Sequence, residues 1–92
     1  MSYFRYVNQK LFVEKTSILN IIKKNKTPFY LYSEKQIKDN YRSFINDFKK
    51  VKPLICFAAK ANTNLTILRT LGKLGAGADV VSGGELLKVI KA

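Results

Sequence analysis

The chain has 92 residues, of which 47% are hydrophobic and 25% charged, and its formal net charge is +11. This length allows one small domain with a modest core, and no apolar stretch approaches the roughly 20 residues that span a bilayer. The N-terminus shows no charged segment followed by a hydrophobic one, so we expect no secretory signal. With no histidine and one cysteine, a metal site is not expected. The single Cys56 has no internal disulfide partner, which favours a cytoplasmic location.

The excess of positive charge leaves a basic nucleic-acid-binding module open as an alternative. However, the lysines are spread along the chain and form no long run. Arginine dominates specific base contacts, and only three arginines occur. We therefore expect no nucleic-acid partner and no membrane partner.

The first 28 residues alternate loosely between apolar and polar side chains. This pattern predicts two short strands joined around Asn8–Gln9. Thr16 or Ser17 can cap a short helix that ends in lysines, and Thr27–Pro28 breaks that helix. We assign residues 1–28 to N-terminal strands and a short helix that form part of a β domain.

From residue 29 onward the pattern alternates between strands and helices. The predicted strands cover residues 29–32, 53–60 and 78–81, and an amphipathic helix follows each of them. Ser33 with Gln36 three residues later forms a capping box that opens the first of these helices. This order predicts parallel strands with right-handed crossovers, and therefore an α/β fold.

Polar residues and glycines mark the ends of the later helices. Asn62, Thr63 and Asn64 form a polar turn that supplies caps for the second helix, and Gly75 and Gly77 end it. Ser82 with Glu85 is a second capping box, which opens the last helix.

Lys60 follows the unbroken apolar run of residues 54–59. Such a run is typical of a strand buried on both faces, and α/β folds place their chemistry at the carboxyl ends of parallel strands. Partial desolvation there lowers the pKa of a lysine and makes its amine a nucleophile for carbonyl carbons. The alternative is that Lys60 is only a charge that reaches solvent at a strand end.

Three segments stand out: Thr-Pro-Phe-Tyr-Leu-Tyr at 27–32, Cys-Phe-Ala-Ala-Lys-Ala-Asn at 56–62, and Gly-Ala-Asp-Val-Val-Ser-Gly-Gly-Glu-Leu at 77–86. In this order and spacing they resemble diaminopimelate decarboxylase. That family belongs to the pyridoxal-phosphate-dependent basic amino-acid decarboxylases, which have an alanine-racemase-like barrel. The resemblance implies that residues 29–92 are the first βα units of a pyridoxal-phosphate-binding (β/α)8 barrel, incomplete here, and that the short strands of a second β domain precede them.

The resemblance also implies a cofactor and a reaction. Lys60 would form the Schiff base with pyridoxal 5'-phosphate, and Ala58 would let the cofactor ring approach closely. The reaction would convert meso-2,6-diaminopimelate to L-lysine and CO2, in lysine biosynthesis. The partner would be a small amino-acid substrate, and the intact enzyme would be a homodimer.

Two acidic residues match family positions that lie near the cofactor lysine. The resemblance implies that Asp79 and Glu85 pair with the amine of Lys60 once substrate has displaced it, because a carboxylate stabilises an ammonium ion. Glu85 has an equally good structural explanation as the third residue of the Ser82 capping box. Asn62 also lies next to the cofactor lysine, and capping of the next turn is its favoured explanation.

The phosphate-binding glycines, the carboxylate for the pyridine nitrogen and the substrate arginine of the family have no counterpart in this sequence. We therefore expect the chain alone to be inactive. One alternative is a subunit of a split decarboxylase whose C-terminal part is a separate chain. Another is a decarboxylase of the same family that acts on ornithine or carboxynorspermidine.

Overall fold

The structure, a computed structural model, describes residues 3–92. The chain divides into two compact units, Met1–Gln36 and Ile37–Ala92. This division by packing falls inside one helix, so the predicted domain boundary after residue 28 stays a prediction. None of the helices within residues 3–92 has the length and apolar character needed to cross a bilayer.

The first unit contains a three-stranded antiparallel sheet. Its strands are β1 (Phe4–Val7), β2 (Lys10–Val13) and β3 (Thr16–Ser17), in that order. Asn8 and Gln9 join β1 to β2 with φ angles of 50° and 65°. A two-residue loop with both φ angles positive is the turn whose twist matches that of the flanking strands. The predicted pair of strands around Asn8–Gln9 is therefore confirmed.

Helix α1 (Ile18–Lys24) follows the sheet directly. Ser17 occupies its N-cap position, as predicted, but its side chain forms no capping hydrogen bond. Thr16 and Ser17 are instead paired in β3, which commits this stretch of backbone to the sheet. At the other end, the Asn25 side-chain amide donates to the carbonyl of Ile21 over 3.0 Å and closes the helix.

The strand predicted at residues 29–32 is absent from the structure of residues 3–92. Its aromatic side chains are largely exposed, with Tyr30 at 91% and Tyr32 at 52%. Aromatic residues favour strands, but a strand forms only where a second strand accepts its hydrogen bonds. No such pairing occurs here within the described part of the chain.

The start of helix α2 (Glu34–Asp47) is capped twice. Ser33 is only 3% exposed, and its hydroxyl accepts a hydrogen bond of 3.1 Å from the Gln36 N–H, which confirms the serine half of the predicted capping box. Glu14 was not foreseen at this position. One of its carboxylate oxygens accepts from the Ser33 hydroxyl at 2.8 Å and from the Lys35 N–H at 3.3 Å. These two donors hold the pKa of Glu14 below its ordinary value.

We expect Glu14→Gln to change how the stability of the protein depends on pH. A carboxylate whose pKa falls on folding contributes stability that is fully present above its unfolded pKa and is lost as pH falls through the folded value. Between about pH 6 and 3, the free energy of unfolding should therefore fall more steeply for the natural protein than for the variant. Urea unfolding followed by circular dichroism at several pH values measures this. Asp47→Asn, at an exposed carboxylate, is the control, and superimposable pH profiles for the natural protein and Glu14→Gln would contradict the prediction.

The second unit is built from two βα units. Strands β4 (Cys56–Ala58) and β5 (Gly77–Asp79) pair in parallel, helix α3 (Leu65–Lys73) connects them, and helix α4 (Gly83–Lys91) follows β5. The predicted α/β class and parallel pairing are therefore confirmed. The buried apolar residues of this unit are Ala59, in the turn after β4, and Ile67, Leu68 and Leu71 of α3.

The strands of this unit are shorter than their sequence patterns predict. Only Cys56–Ala58 of the predicted strand 53–60 pairs with a neighbour, and Ala59–Ala61 forms a 3-10 turn that contains Lys60. Gly77 does not end a helix as predicted, because it is the first residue of β5. A Cβ on Gly77 would lie 2.9 Å from the Cys56 Sγ, so the close approach of the paired strands favours glycine there.

Helix α3 ends in a Schellman motif centred on Gly75. The Gly75 N–H donates to the Gly72 carbonyl at 3.0 Å, and the Ala76 N–H donates to the Leu71 carbonyl at 3.1 Å. Gly75 has a φ of +102°, which side-chain-bearing residues rarely adopt. The prediction that Gly75 ends this helix is confirmed.

The same substitution at two nearby glycines should have opposite effects. Gly75→Ala should destabilise the protein by about 1–2 kcal/mol because its backbone is left-handed. Gly72→Ala should stabilise it by about 0.5–1 kcal/mol, since Gly72 lies within α3 and a Cβ there meets nothing within 4 Å. Urea denaturation of both variants checks the prediction. Destabilisation by both substitutions to the same extent would contradict it.

Candidate functional site

The carboxyl edge of the β4–β5 sheet brings together residues far apart in the sequence. In the parallel register, Ala58 at the end of β4 pairs with Asp79 at the end of β5. Lys60 follows Ala58 by two residues and therefore emerges at the same edge as Asp79. The structure thus places three of the predicted site residues at one end of a small parallel sheet, where α/β folds carry their chemistry.

The turn that carries Lys60 has a buried anchor and an exposed side chain. Ala59 is completely buried, with an exposure of 0%, whereas Lys60 and Ala61 are exposed. The expected desolvation of Lys60 is therefore not seen among residues 3–92. The methyl groups of the flanking alanines are too small to cover its stem.

The residues at this edge fit a cofactor that carries an aldehyde. Attachment of an aldehyde needs a primary amine that is accessible and not held in another interaction. Lys60 is exposed, and its side chain forms no hydrogen bond or ion pair with any residue between 3 and 92. Ala58 is half-buried and presents only a methyl group, as the prediction of a close approach requires.

Asp79 supplies the negative charge at this edge. It is exposed, and its carboxylate has no hydrogen-bond partner or ion pair among the residues that the structure describes. It is therefore available to balance an ammonium group nearby. Its predicted role beside Lys60 stays a prediction.

Glu85 lies in the first turn of α4 and is engaged in capping. Its N–H donates to the Ser82 hydroxyl at 3.2 Å, which confirms the serine half of the predicted capping box. Its carboxylate accepts a hydrogen bond of 3.2 Å from the Val81 N–H, one residue before the N-cap. The structure therefore gives Glu85 a structural role at the helix start, and its catalytic role stays a prediction.

The polar turn after Lys60 is more tightly bonded than its sequence suggests. The Asn64 side-chain oxygen accepts from the N–H groups of Thr66 and Ile67 at 2.9 and 3.2 Å, which confirms it as the cap of α3. Lys88 of α4 also donates to the Thr63 hydroxyl at 3.4 Å. This last contact was not predicted, because no local pattern relates residues that are 25 positions apart.

Two apolar cavities lie in the second unit, and the second of them reaches Ala58 at this edge. One lies among α3, β5 and α4, and the other between α2 and β4; neither is lined by Lys60 or Asp79. The candidate site within residues 3–92 is therefore an open edge of the sheet and not an enclosed pocket.

The comparisons with known proteins all indicate the same family. The model for the pyridoxal-dependent decarboxylase, pyridoxal binding domain, matches residues 34–92. The diaminopimelate decarboxylase of Pseudomonas fluorescens is 44% identical over 92 residues, which are 100% of this chain and 22% of that protein. The enzyme of the same name from Helicobacter pylori is 52% identical over 67 residues, which are 73% of this chain and 16% of that protein. The chain thus spans about a fifth of the length of these relatives.

The fold agrees with that of solved structures. The crystal structure of diaminopimelate decarboxylase from M. jannaschii in complex with L-lysine superposes with a TM-score of 0.91 and is 38% identical in sequence. The match covers 98% of this chain and 22% of that one. A structure from Aquifex aeolicus matches with a TM-score of 0.90 and 42% identity, over 97% of this chain and 22% of the other. This chain belongs to the pyridoxal-dependent decarboxylases, and its residues 34–92 match the model of their pyridoxal-binding domain.

Proposed function

We propose that Lys60 holds pyridoxal 5'-phosphate and that the protein takes part in the decarboxylation of an amino acid. The observation that carries this proposal is the position of Lys60, an accessible primary amine one residue beyond the buried Ala59 at the carboxyl edge of the parallel sheet. It lies inside the region that the pyridoxal-binding family model matches.

Each residue at the carboxyl edge of the sheet has its own proposed role. The amine of Lys60 would hold the cofactor, and Ala58 would leave space beside it. When bound, pyridoxal phosphate accepts the electron pair that remains on the substrate carbon as CO2 departs. Asp79 balances the positive charge on Lys60 when its amine is free, and the amine can then move a proton to or from the substrate.

The substrate we propose is meso-2,6-diaminopimelate, with L-lysine and CO2 as products. The support is the shared name of the curated relatives and the L-lysine complex of the M. jannaschii enzyme. A cytoplasmic location and a homodimer of the intact enzyme belong to the same proposal.

Reductive trapping tests the attachment site. The purified chain is incubated with pyridoxal phosphate, reduced with borohydride and digested, and the label is mapped by mass spectrometry. We expect the label to concentrate on Lys60 and to remain sparse on the other lysines. Even labelling of all the lysines would contradict the proposal.

A second measurement tests the substrate. We expect the 92-residue chain alone to release no CO2 from diaminopimelate, because the family's phosphate and pyridine-nitrogen ligands have no counterpart in it. An assembly that contains this chain together with the remaining part of the enzyme should yield CO2 and L-lysine from diaminopimelate. Release of CO2 from ornithine instead would replace the proposed substrate.

A further inference from the structure

The turn Ala59–Ala61, which carries Lys60, is closed by Asn62. The Asn62 N–H donates to the Ala59 carbonyl at 3.1 Å, so the two atoms that close the turn lie on either side of Lys60. Asn62 also accepts, through its side-chain oxygen, a hydrogen bond of 2.9 Å from the Asn64 N–H. This second bond is an Asx turn, which fixes the backbone of the residues just after Lys60.

A second asparagine, Asn64, connects this segment to helix α3. The Asn64 side chain caps α3 through the N–H groups of Thr66 and Ile67. Ile67 belongs to the buried side of α3. The backbone of Lys60 is therefore linked through two consecutive side-chain bonds to a helix that is held by core packing.

A contact from α4 supports the turn from another direction. Helix α4 packs against the 59–61 turn, and its Lys88 donates to the Thr63 hydroxyl at 3.4 Å. At 3.4 Å this bond is longer than the 2.9 Å bond that the Asn62 side chain accepts, so the Asn62 bond carries most of the restraint on the turn.

We infer that Asn62 is a positioning residue for Lys60. Its side chain holds the turn after β4 in the arrangement that presents the amine at the carboxyl edge of the sheet. Without the Asx bond, the Lys60 backbone samples more conformations, and fewer of them place the amine for attachment. This inference rests on the proposed attachment of the cofactor at Lys60.

The test uses four variants of the full chain. Asn62→Ala removes the accepting oxygen, and Asn62→Gln keeps the amide but makes the side chain too long for the Asx turn. Asn62→Asp retains an accepting oxygen at the same distance from the backbone. Asn64→Ala removes the helix cap and destabilises the protein, but it leaves the Asn62 side chain and its bond to the Asn64 N–H in place.

Borohydride trapping of pyridoxal phosphate provides the first readout, as the label on Lys60 divided by the label on all other lysines. Samples are compared at equal folded fractions, determined by circular dichroism. Loss of one ordinary hydrogen bond should lower this ratio roughly three- to ten-fold in Asn62→Ala and Asn62→Gln. Asn62→Asp should stay within about twofold of the natural protein, and so should Asn64→Ala. An unchanged ratio in both Asn62→Ala and Asn62→Gln, or an equal loss in Asn64→Ala, would overturn the inference.

Amide hydrogen exchange provides a second readout that needs no cofactor. The Asn64 N–H should exchange roughly three- to ten-fold faster in Asn62→Ala and keep its protection in Asn62→Asp. If the natural protein carries no label on Lys60, the proposed function fails, whereas this measurement still decides whether Asn62 holds the turn. Unchanged exchange at Asn64 in Asn62→Ala would overturn the inference even if Lys60 is labelled.

Discussion

Replacing Lys60 with alanine should abolish the attachment of pyridoxal phosphate at the sheet edge. The substitution removes the primary amine and leaves the buried Ala59 and the turn around it in place. In borohydride trapping, we expect the label on the peptide that contains position 60 to disappear. In an assembly that is active on diaminopimelate, the rate should fall by on the order of 10²-fold or more, because we propose that the same amine also transfers protons.

Lys60→Arg separates the charge of the side chain from its nucleophilic amine. A guanidinium stays protonated and cannot condense with the aldehyde, but it preserves the positive charge at position 60. We expect this variant to lose the label as completely as Lys60→Ala. Lys91→Ala, at an exposed lysine near the end of α4, should label like the natural protein. Persistence of the specific label in Lys60→Ala would place the attachment site elsewhere.

Truncation of Leu68 should produce the largest loss of stability in the second unit. Leu68 is 8% exposed on the core face of α3, and a buried leucine changed to alanine costs about 2–5 kcal/mol. A loss of that size is a large fraction of the total stability of a small domain, which is about 5–15 kcal/mol. Urea denaturation followed by circular dichroism should show a lower midpoint, and much of the Leu68→Ala protein should be unfolded near 37 °C.

Leu87 provides the matched control for this prediction. It is also a leucine within a helix, α4, but 70% of it is exposed in this structure. Leu87→Ala removes the same atoms, and we expect its free energy of unfolding to stay within about 0.5 kcal/mol of the natural value. Equal losses from the two substitutions would show that the face of α4 carrying Leu87 is also packed in solution.

Local sequence patterns were reliable where the stabilising interaction is itself local. The Asn8–Gln9 turn, the Asn64 cap and the Gly75 helix end were all predicted, because each depends on bonds between residues a few positions apart. The same reasoning failed for residues 29–32. Aromatic side chains favour extended backbone, but formation of a strand depends on a partner elsewhere in the chain.

In the candidate site, too, some features were predicted from the sequence and others were not. Lys60 was predicted from the apolar run before it and from the resemblance to the decarboxylase family, and its place just after β4 agrees. The expected desolvation of its amine was not found within residues 3–92, since burial depends on which other elements cover a side chain. The sequence predicted two roles for Glu85, one catalytic and one in capping. Its hydrogen bonds to Val81 and Ser82 show that it caps the start of α4.

Local patterns in the sequence were enough to predict the α/β order of the second unit and most of its helix ends. Those features follow from periodicity and from hydrogen bonds within a few residues. Three contacts were seen only in the folded structure: Ala58 pairs with Asp79, Gly77 lies against Cys56, and Glu14 caps α2. These contacts join residues about 20 positions apart, and strand register and packing set them, so no local pattern of side chains specifies them.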